Sequence, residues 1–157
     1  MTDPQQAAIR QEFNKDSEFT DKVVQIKRVS KKTKGGNQIS FTALVVSGDK
    51  KSRVGVGHAK AKSVADAIKK AINRARNSLI TVPITEGTIP GSIKVKFKGA
   101  LVLIRPGKQG SGLIAGGPVR SVVELAGVKD MVSKIIGSKT KAINVWATMK
   151  ALNLLKK

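Results

Sequence analysis

The chain has 157 residues, enough for one domain of ordinary size or two small ones. Thirty Lys and Arg stand against ten Asp and Glu, a formal charge of +20. That excess points to a polyanionic partner, because a lone fold gains nothing from such self-repulsion. Cysteine is absent and His58 is the single histidine, which excludes disulfides, thiolate metal sites and a His-rich metal centre and leaves little for a Ser–His or Cys–His mechanism.

Apolar residues make up 40%, enough for a core. No apolar run approaches the roughly 20 residues of a membrane span. Met1 to Asp21 carries five acids against two bases, the reverse of a secretory signal or transit peptide, so the chain reads as soluble and intracellular. From Lys22 onward the charge rises to +23. Aromatics are scarce, with four Phe, one Trp and no Tyr. Modules that stack bases on exposed rings need more, so the expected readout is backbone phosphate and RNA shape.

In chain order, Asp3-Pro4 and the residues after it can open a short helix or fray. Val23 to Val29 alternates and is rich in β-branched residues, which predicts a strand. KKTKGGNQ follows as a turn, with Gly35 and Gly36 at its tip. At least one of these glycines is expected to take φ > 0 or to sit too close to RNA for a side chain. Ile39 to Val46 is a second strand, GDKKS a tight turn, and Arg53 to His58 a third strand. Gly55 and Gly57 within that strand mark a close backbone approach or a bulge.

Val64, Ile68, Ala71, Ile72, Ala75 and Leu79 form one apolar stripe of a helix. Ser63 and Asp66 resemble a capping box at its start. Lys69, Lys70, Asn73, Arg76 and Asn77 fall on the opposite face, where Asp66 is the helix's only acid. A plainly solvated face usually interleaves both signs.

Thr85 to Gly91 is a plausible boundary. Ile93, Val95 and Phe97 then alternate with Lys94, Lys96 and Lys98, a half-exposed strand with a lysine ladder outward. Leu101 to Ile104 is a short apolar strand. A loop with five Gly runs between Pro106 and Pro118. Pro118 can start a helix carrying Val119, Val122, Val123 and Ala126. Val128 to Ile136 fits either a helix or a strand. Thr140 to Leu155 is the last helix, followed by Lys156-Lys157. The order is βββα, then ββαβα.

The Gly-rich loop is the best case for an enzyme, because loop amides before a helix N-terminus can cradle phosphate. Yet Gly107 to Gly112 lacks the GK[ST] of a P-loop and the dinucleotide spacing. Between Ile93 and Lys157 only Glu124 and Asp130 could serve magnesium. The loop therefore reads as an RNA-phosphate contact or a structural turn. Glu86, Glu124 and Asp130 have no supporting constellation as an acid–base pair. His58 reads as a local hydrogen-bonding or packing residue. Trp146, spaced with Ile143 and Met149, reads as core.

The candidate RNA contacts are Lys27, Arg28, Lys31, Lys32, Lys34, Gly35 and Gly36 in the first loop, where charge is densest. Lys50, Lys51 and Arg53 add to them at the next turn. Lys60, Lys62, Lys69, Lys70 and Arg76 follow along the helix. Lys98, Arg105, Lys108 and Arg120 lie in the second half. No catalytic residue, metal or cofactor is indicated.

The stretch KRVSKKTKGGNQISFTALVVSGDKKSRVGVGHAKAKSVADAIKKAINRAR resembles the signature of the bacterial-type fifth protein of the small ribosomal subunit. GLIAGGPVRSVVELAGVKD and INVWATMKAL resemble that family's C-terminal domain, so the likeness runs from about Asp21 to about Leu155. The resemblance implies an α+β fold of two small domains. The first, residues 21–85, is related to double-stranded-RNA-binding domains, and the second spans residues 86–157. Residues 1–20 form a flexible or partly helical extension. The second domain shares its architecture with a kinase superfamily that binds phosphate on a Gly-rich loop, and on that kinship Val128 to Ile136 is mainly strand.

The resemblance further implies a structural, non-enzymatic constituent of the small subunit, in the cytoplasm. Such a protein binds small-subunit ribosomal RNA and supports assembly. It lies near messenger RNA entry, touches the fourth and eighth small-subunit proteins, and influences decoding accuracy. The family's extended loop, matching Val29 to Gly36, approaches the spectinomycin site. The chain departs from the family at His58, usually aromatic, and at Ala59, usually glycine. Leu101 stands where the family has a basic residue linked to accuracy, with Lys98 as the replacement candidate. The tail beyond Leu155 is nearly absent. The alternatives are a free-standing double-stranded-RNA-binding architectural protein and a phosphate-loop nucleotide-binding enzyme.

Overall fold

The computed structural model describes residues 18–155. The expected N-terminal helix after Asp3 and the closing Lys156-Lys157 lie outside the described residues. The chain opens with a long antiparallel hairpin of β1 (Thr20–Thr33) and β2 (Gly36–Gly48). Pairing continues through Lys31↔Gln38, Lys32↔Asn37 and Thr33↔Gly36, so only Lys34 and Gly35 make the turn. The strands thus run well past the expected ends at Val29 and Ile39. The extension buries nothing, so hydrophobic alternation carries no signal there, and the backbone ladder alone extends it. At the tip the Thr33 hydroxyl donates to the Gly36 carbonyl at 2.9 Å, and Gly36 has φ of 130°, as expected for one of this pair.

β3 (Arg53–Ala61), α1 (Val64–Asn77) and β4 (Leu79–Thr81) complete the first unit, an antiparallel sheet in the order β1-β2-β3-β4. The close approach expected at Gly55 and Gly57 is present. A Cβ on either would strike the carbonyls of Ala75 and Ala71 in α1. The helix meets the glycines with a buried seam of Ala67, Ala71 and Ala75. Small residues on both surfaces let the two backbones nearly touch. Ile68 and Ile72 flank this seam half-buried, so the true centre of the stripe includes Ala67, which the spacing argument passed over. Ser63 caps the helix. Its Oγ accepts from the Asp66 amide at 3.1 Å and donates to the Asp66 carboxylate at 2.7 Å, and such a cap contributes about 1 kcal/mol. Leu79, read as the end of the helical stripe, instead begins β4 and pairs with Gly55.

The second unit contains β5 (Ile93–Phe97), β6 (Ala100–Pro106), β7 (Leu113–Ile114), α2 (Gly117–Ala126), β8 (Met131–Gly137) and α3 (Lys141–Leu154). Its sheet runs β5-β6-β8-β7, antiparallel except for β7 beside β8. The ambiguous segment is therefore mainly strand. α2 starts with Pro in its first turn and buries Val119, Val122, Val123 and Ala126, as expected. β7 and β4 are additions to the expected order, each too short to leave a periodic trace.

One core joins the units. Ala43 and Val45 of β2 face α1, while Leu44 and Val46 face the other way. These last two, with Val54 and Val56 of β3, belong to one cluster with Val102, Val122, Val145 and Leu152 of the second unit. The connection between units is anchored by Val82 and Ile89, both buried. Its turn has φ of 51° at Glu86 and 82° at Gly87, and the Gly87 carbonyl accepts from the amides of Lys129 and Asp130 at 2.8 and 3.2 Å.

Trp146 departs from its expected place in the core. It is 39% exposed, whereas Met149 is buried and Ile143 half-buried. α3 packs on the sheet and on α2 together, so its buried face is wide, and Trp146, Lys150 and Asn153 occupy the narrow strip left to solvent.

Candidate nucleic-acid interface

The hairpin extension presents Lys27, Arg28, Lys31, Lys32 and Lys34, all exposed. Strand alternation puts Lys27 and Lys31 on one face and Arg28 and Lys32 on the other, with Lys34 at the tip. No acid lies between Lys22 and Gly48, so no partner inside the hairpin neutralises them. Gly35 and Gly36 have open space around them. Their bareness gives the tip a narrow profile that a groove can admit.

Lys60 and Lys62 sit where β3 passes into α1, and Lys69 and Lys70 stand on the solvent face of the helix. Arg76 does not join them. Its guanidinium bonds Asp21 at 3.0 Å and is three-quarters buried. Arg74, one turn earlier, donates to the His58 carbonyl at 2.7 Å. His58 itself is exposed.

The turn between β2 and β3 is organised by Asp49. Its Oδ1 accepts from the amides of Lys51, Ser52 and Arg53 at 2.8, 3.1 and 2.9 Å, and its Oδ2 from Arg53 Nε at 2.7 Å. Burial by itself would raise the pKa of this carboxyl. The Arg53 guanidinium and the three amides outweigh burial and hold it at about 2. Glu18 reaches Lys51 at 3.2 Å and Arg53 at 3.5 Å. The Phe19 ring lies 5.2 Å from the Arg53 guanidinium and 6.0 Å from that of Arg76. Lys51, Arg53 and Arg76, expected to face RNA, are thus tied to the N-terminal end of β1. Lys50 remains exposed, at φ of 56°.

Lys22 pairs with Glu124 of α2 at 2.8 Å, which together with Arg120 and Lys50 draws the Glu124 pKa down against its partial burial. Six of the seven described acids therefore serve caps, turns or ion pairs: Glu18, Asp21, Asp49, Asp66, Glu124 and Asp130. Because the acids are occupied in this way, the excess positive charge is left at the surface. Sequence reasoning missed these pairings because partners such as Asp21 and Arg76 lie 55 residues apart.

In the second unit the Gly-rich loop is closed by Asp130. Its Oδ1 accepts from the Gly112 amide at 2.7 Å, and its carbonyl accepts from the Thr88 hydroxyl at 2.7 Å. A carboxylate thus takes a loop amide that a phosphate cradle would leave open. Lys108, Arg105 and Arg120 are exposed around the loop. Lys94 and Lys96 form the outward ladder of β5, and register sets Leu103 between Lys94 and Lys134. Lys98, at φ of 52°, holds its ammonium 5.8 Å from the Phe97 ring centre. Leu101 is half-buried on the same outer face. Among the described residues no three His, Asp or Glu side chains gather as a metal site, and no helix is long and apolar enough to cross a membrane.

Residues 19–83 match the family profile described as ribosomal protein S5, N-terminal domain, and residues 95–157 match ribosomal protein S5, C-terminal domain. The chain is 52% identical over 141 residues to the small ribosomal subunit protein uS5 of Mycoplasmopsis agalactiae, covering 89% of this chain and 61% of that protein. It is 50% identical over 131 residues to that of Treponema pallidum, covering 83% of this chain and 76% of the relative. Against the protein of the same name from Campylobacter jejuni, identity is 44% over 146 residues, covering 93% and 99%. These relatives are named as a ribosomal component and not as an enzyme, in line with the non-enzymatic reading. The shared sequence runs through the hairpin, the fused core and both sheets, and the chain belongs to the ribosomal protein S5 family.

Proposed function

We propose that this chain is a structural constituent of the small ribosomal subunit that grips ribosomal RNA chiefly through the β1–β2 hairpin. The observation that carries this reading is the acid-free run Lys27 to Lys34, held beyond the core on a paired two-stranded arm. Exposed cations of this kind displace condensed counterions from a phosphate backbone. Lys60, Lys62, Lys69 and Lys70 form a second phosphate-facing group, and Lys98, Arg105, Lys108 and Arg120 a third. On this reading residues 21–85 and 86–157 are two RNA-facing units fused through one core. Support for assembly, a place near messenger RNA entry, an effect on decoding accuracy and contact with the fourth and eighth small-subunit proteins complete the proposal. These finer roles rest on the family resemblance.

Sedimentation of tagged protein in a cell lysate tests it. The chain is expected to travel with small subunits at physiological salt. Protein that stays at the top of the gradient, yet binds duplex RNA, would favour the free-standing architectural reading instead.

A further inference from the structure

The second unit covers only part of the first sheet's face opposite α1. At the edge of that cover, register across three strands lays out two rows, the first centred on buried Leu44 and the second more open. Gln25, Leu44 and His58 form one row, and Lys27, Thr42 and Lys60 the next. Gln25, Lys27, Thr42, Leu44 and His58 line a shallow cleft, and Ala142 at the start of α3 closes its side. Lys27, His58 and Lys60 are exposed, and α3 contains no Asp or Glu. Trp146 lies four residues beyond Ala142. Residues at that spacing share a helix face about 6 Å apart along the axis. The indole is 39% exposed in a chain with only one Trp and no Tyr.

We propose that this cleft and Trp146 together hold an unpaired RNA nucleotide. The indole face stacks on the base, Lys27 and Lys60 meet the flanking phosphates, and His58 and Gln25 offer hydrogen bonds to the base or sugar edge. The idea rests on the RNA-binding reading above and deepens it. The hairpin lysines meet phosphate whether or not the bases are paired, whereas a stacking ring needs a base that has left its helix. The lining also argues for this occupant. It carries Lys27 and several polar groups, with exposed Lys60 in the neighbouring row, and has no carboxylate, while its one large apolar side chain, Leu44, is already buried. An apolar protein segment would find little to cover there, and an anionic nucleotide finds complementary charge.

Because Trp146 is the only tryptophan, intrinsic fluorescence of the full chain reports on it alone. The chain is titrated at fixed salt with a short oligoadenylate and, separately, with a blunt RNA duplex of equal length. Oligoadenylate is expected to quench the emission and the duplex to bind without quenching. Trp146→Ala is expected to weaken oligoadenylate binding roughly tenfold while leaving duplex binding unchanged, measured below the variant's own, lowered melting transition. His58→Ala is expected to weaken only oligoadenylate binding. Duplex binding with unquenched emission on oligoadenylate, or a Trp146→Ala variant that binds oligoadenylate as the parent does, overturns the proposal and leaves the hairpin reading standing. If neither RNA binds, the RNA-binding reading fails and takes this proposal with it.

Discussion

The hairpin tip and the turn between β2 and β3 are built from the same residue types and stand in different electrostatic surroundings. Both are rich in Lys and Arg. At the tip, Lys31, Lys32 and Lys34 stand in a run from Lys22 to Gly48 that contains no acid, and the tip buries nothing. At the turn, Lys51 and Arg53 meet Glu18 and Asp49, and neighbouring Arg76 meets Asp21. Positive charge alone therefore does not show which cations are free of an internal acid partner. On the proposed reading, the distinguishing feature is whether an acid from another part of the chain has reached the cation first.

The comparison sharpens if the folded body can be damaged without the tip, and the tip without the body. The largest expected effect is on the body. In Gly57→Val, the new side chain strikes the Ala71 carbonyl and pushes α1 off its sheet. A loss of about 3 kcal/mol in urea unfolding is expected. Unchanged stability would mean that the helix can move aside and that the glycine–alanine contact is not essential.

Next in size is the turn. The Asp49 pKa is lowered from 3.8 to about 2 in the folded chain, so its carboxylate favours folding wherever it is ionised. That contribution is complete above pH about 4 and drains away as pH falls toward 2. It amounts to roughly 2 kcal/mol. Asp49→Ala is expected to lose this amount at pH 7 and to flatten the acid limb of the stability curve. A variant with the parental acid limb would show that another group controls it.

The smallest effect is expected at Lys51. Its pair with Glu18 is exposed, with side-chain accessibilities of 72% and 43%. Lys51→Ala should cost no more than about 0.5 kcal/mol. It should also leave the salt dependence of RNA binding unchanged. A clear fall in that dependence would move Lys51 into the RNA-facing group and blur the distinction.

Local patterns with a packing consequence were legible in the sequence. Glycines inside a β3 pattern announced the approach of α1, and Pro118 announced α2 with its four buried residues. The strand at Met131–Gly137 was undecided by period and followed from family resemblance. β4 and β7 escaped notice because two or three residues cannot show a repeat. The hairpin's true length escaped because pairing without burial leaves no hydrophobic trace. At the candidate site, the exposed lysines were readable from charge alone. The capture of Arg53 and Arg76 was not, because it depends on how the fold returns Glu18 and Asp21 to distant strands and helices. Trp146 was misplaced for a related reason: two neighbours bury α3 so broadly that its spacing pattern no longer marks the outside.

The salt dependence of binding to small-subunit ribosomal RNA tests the central claim most directly. The parent chain is compared with a variant carrying Lys31→Ala, Lys32→Ala and Lys34→Ala. Each lost phosphate contact should reduce the log–log slope by roughly 0.7 to 0.9, so a total fall of about 2 to 3 is expected, with the melting temperature unchanged. A variant that kept the parental slope would contradict the account, since the hairpin would then be an arm held in solvent.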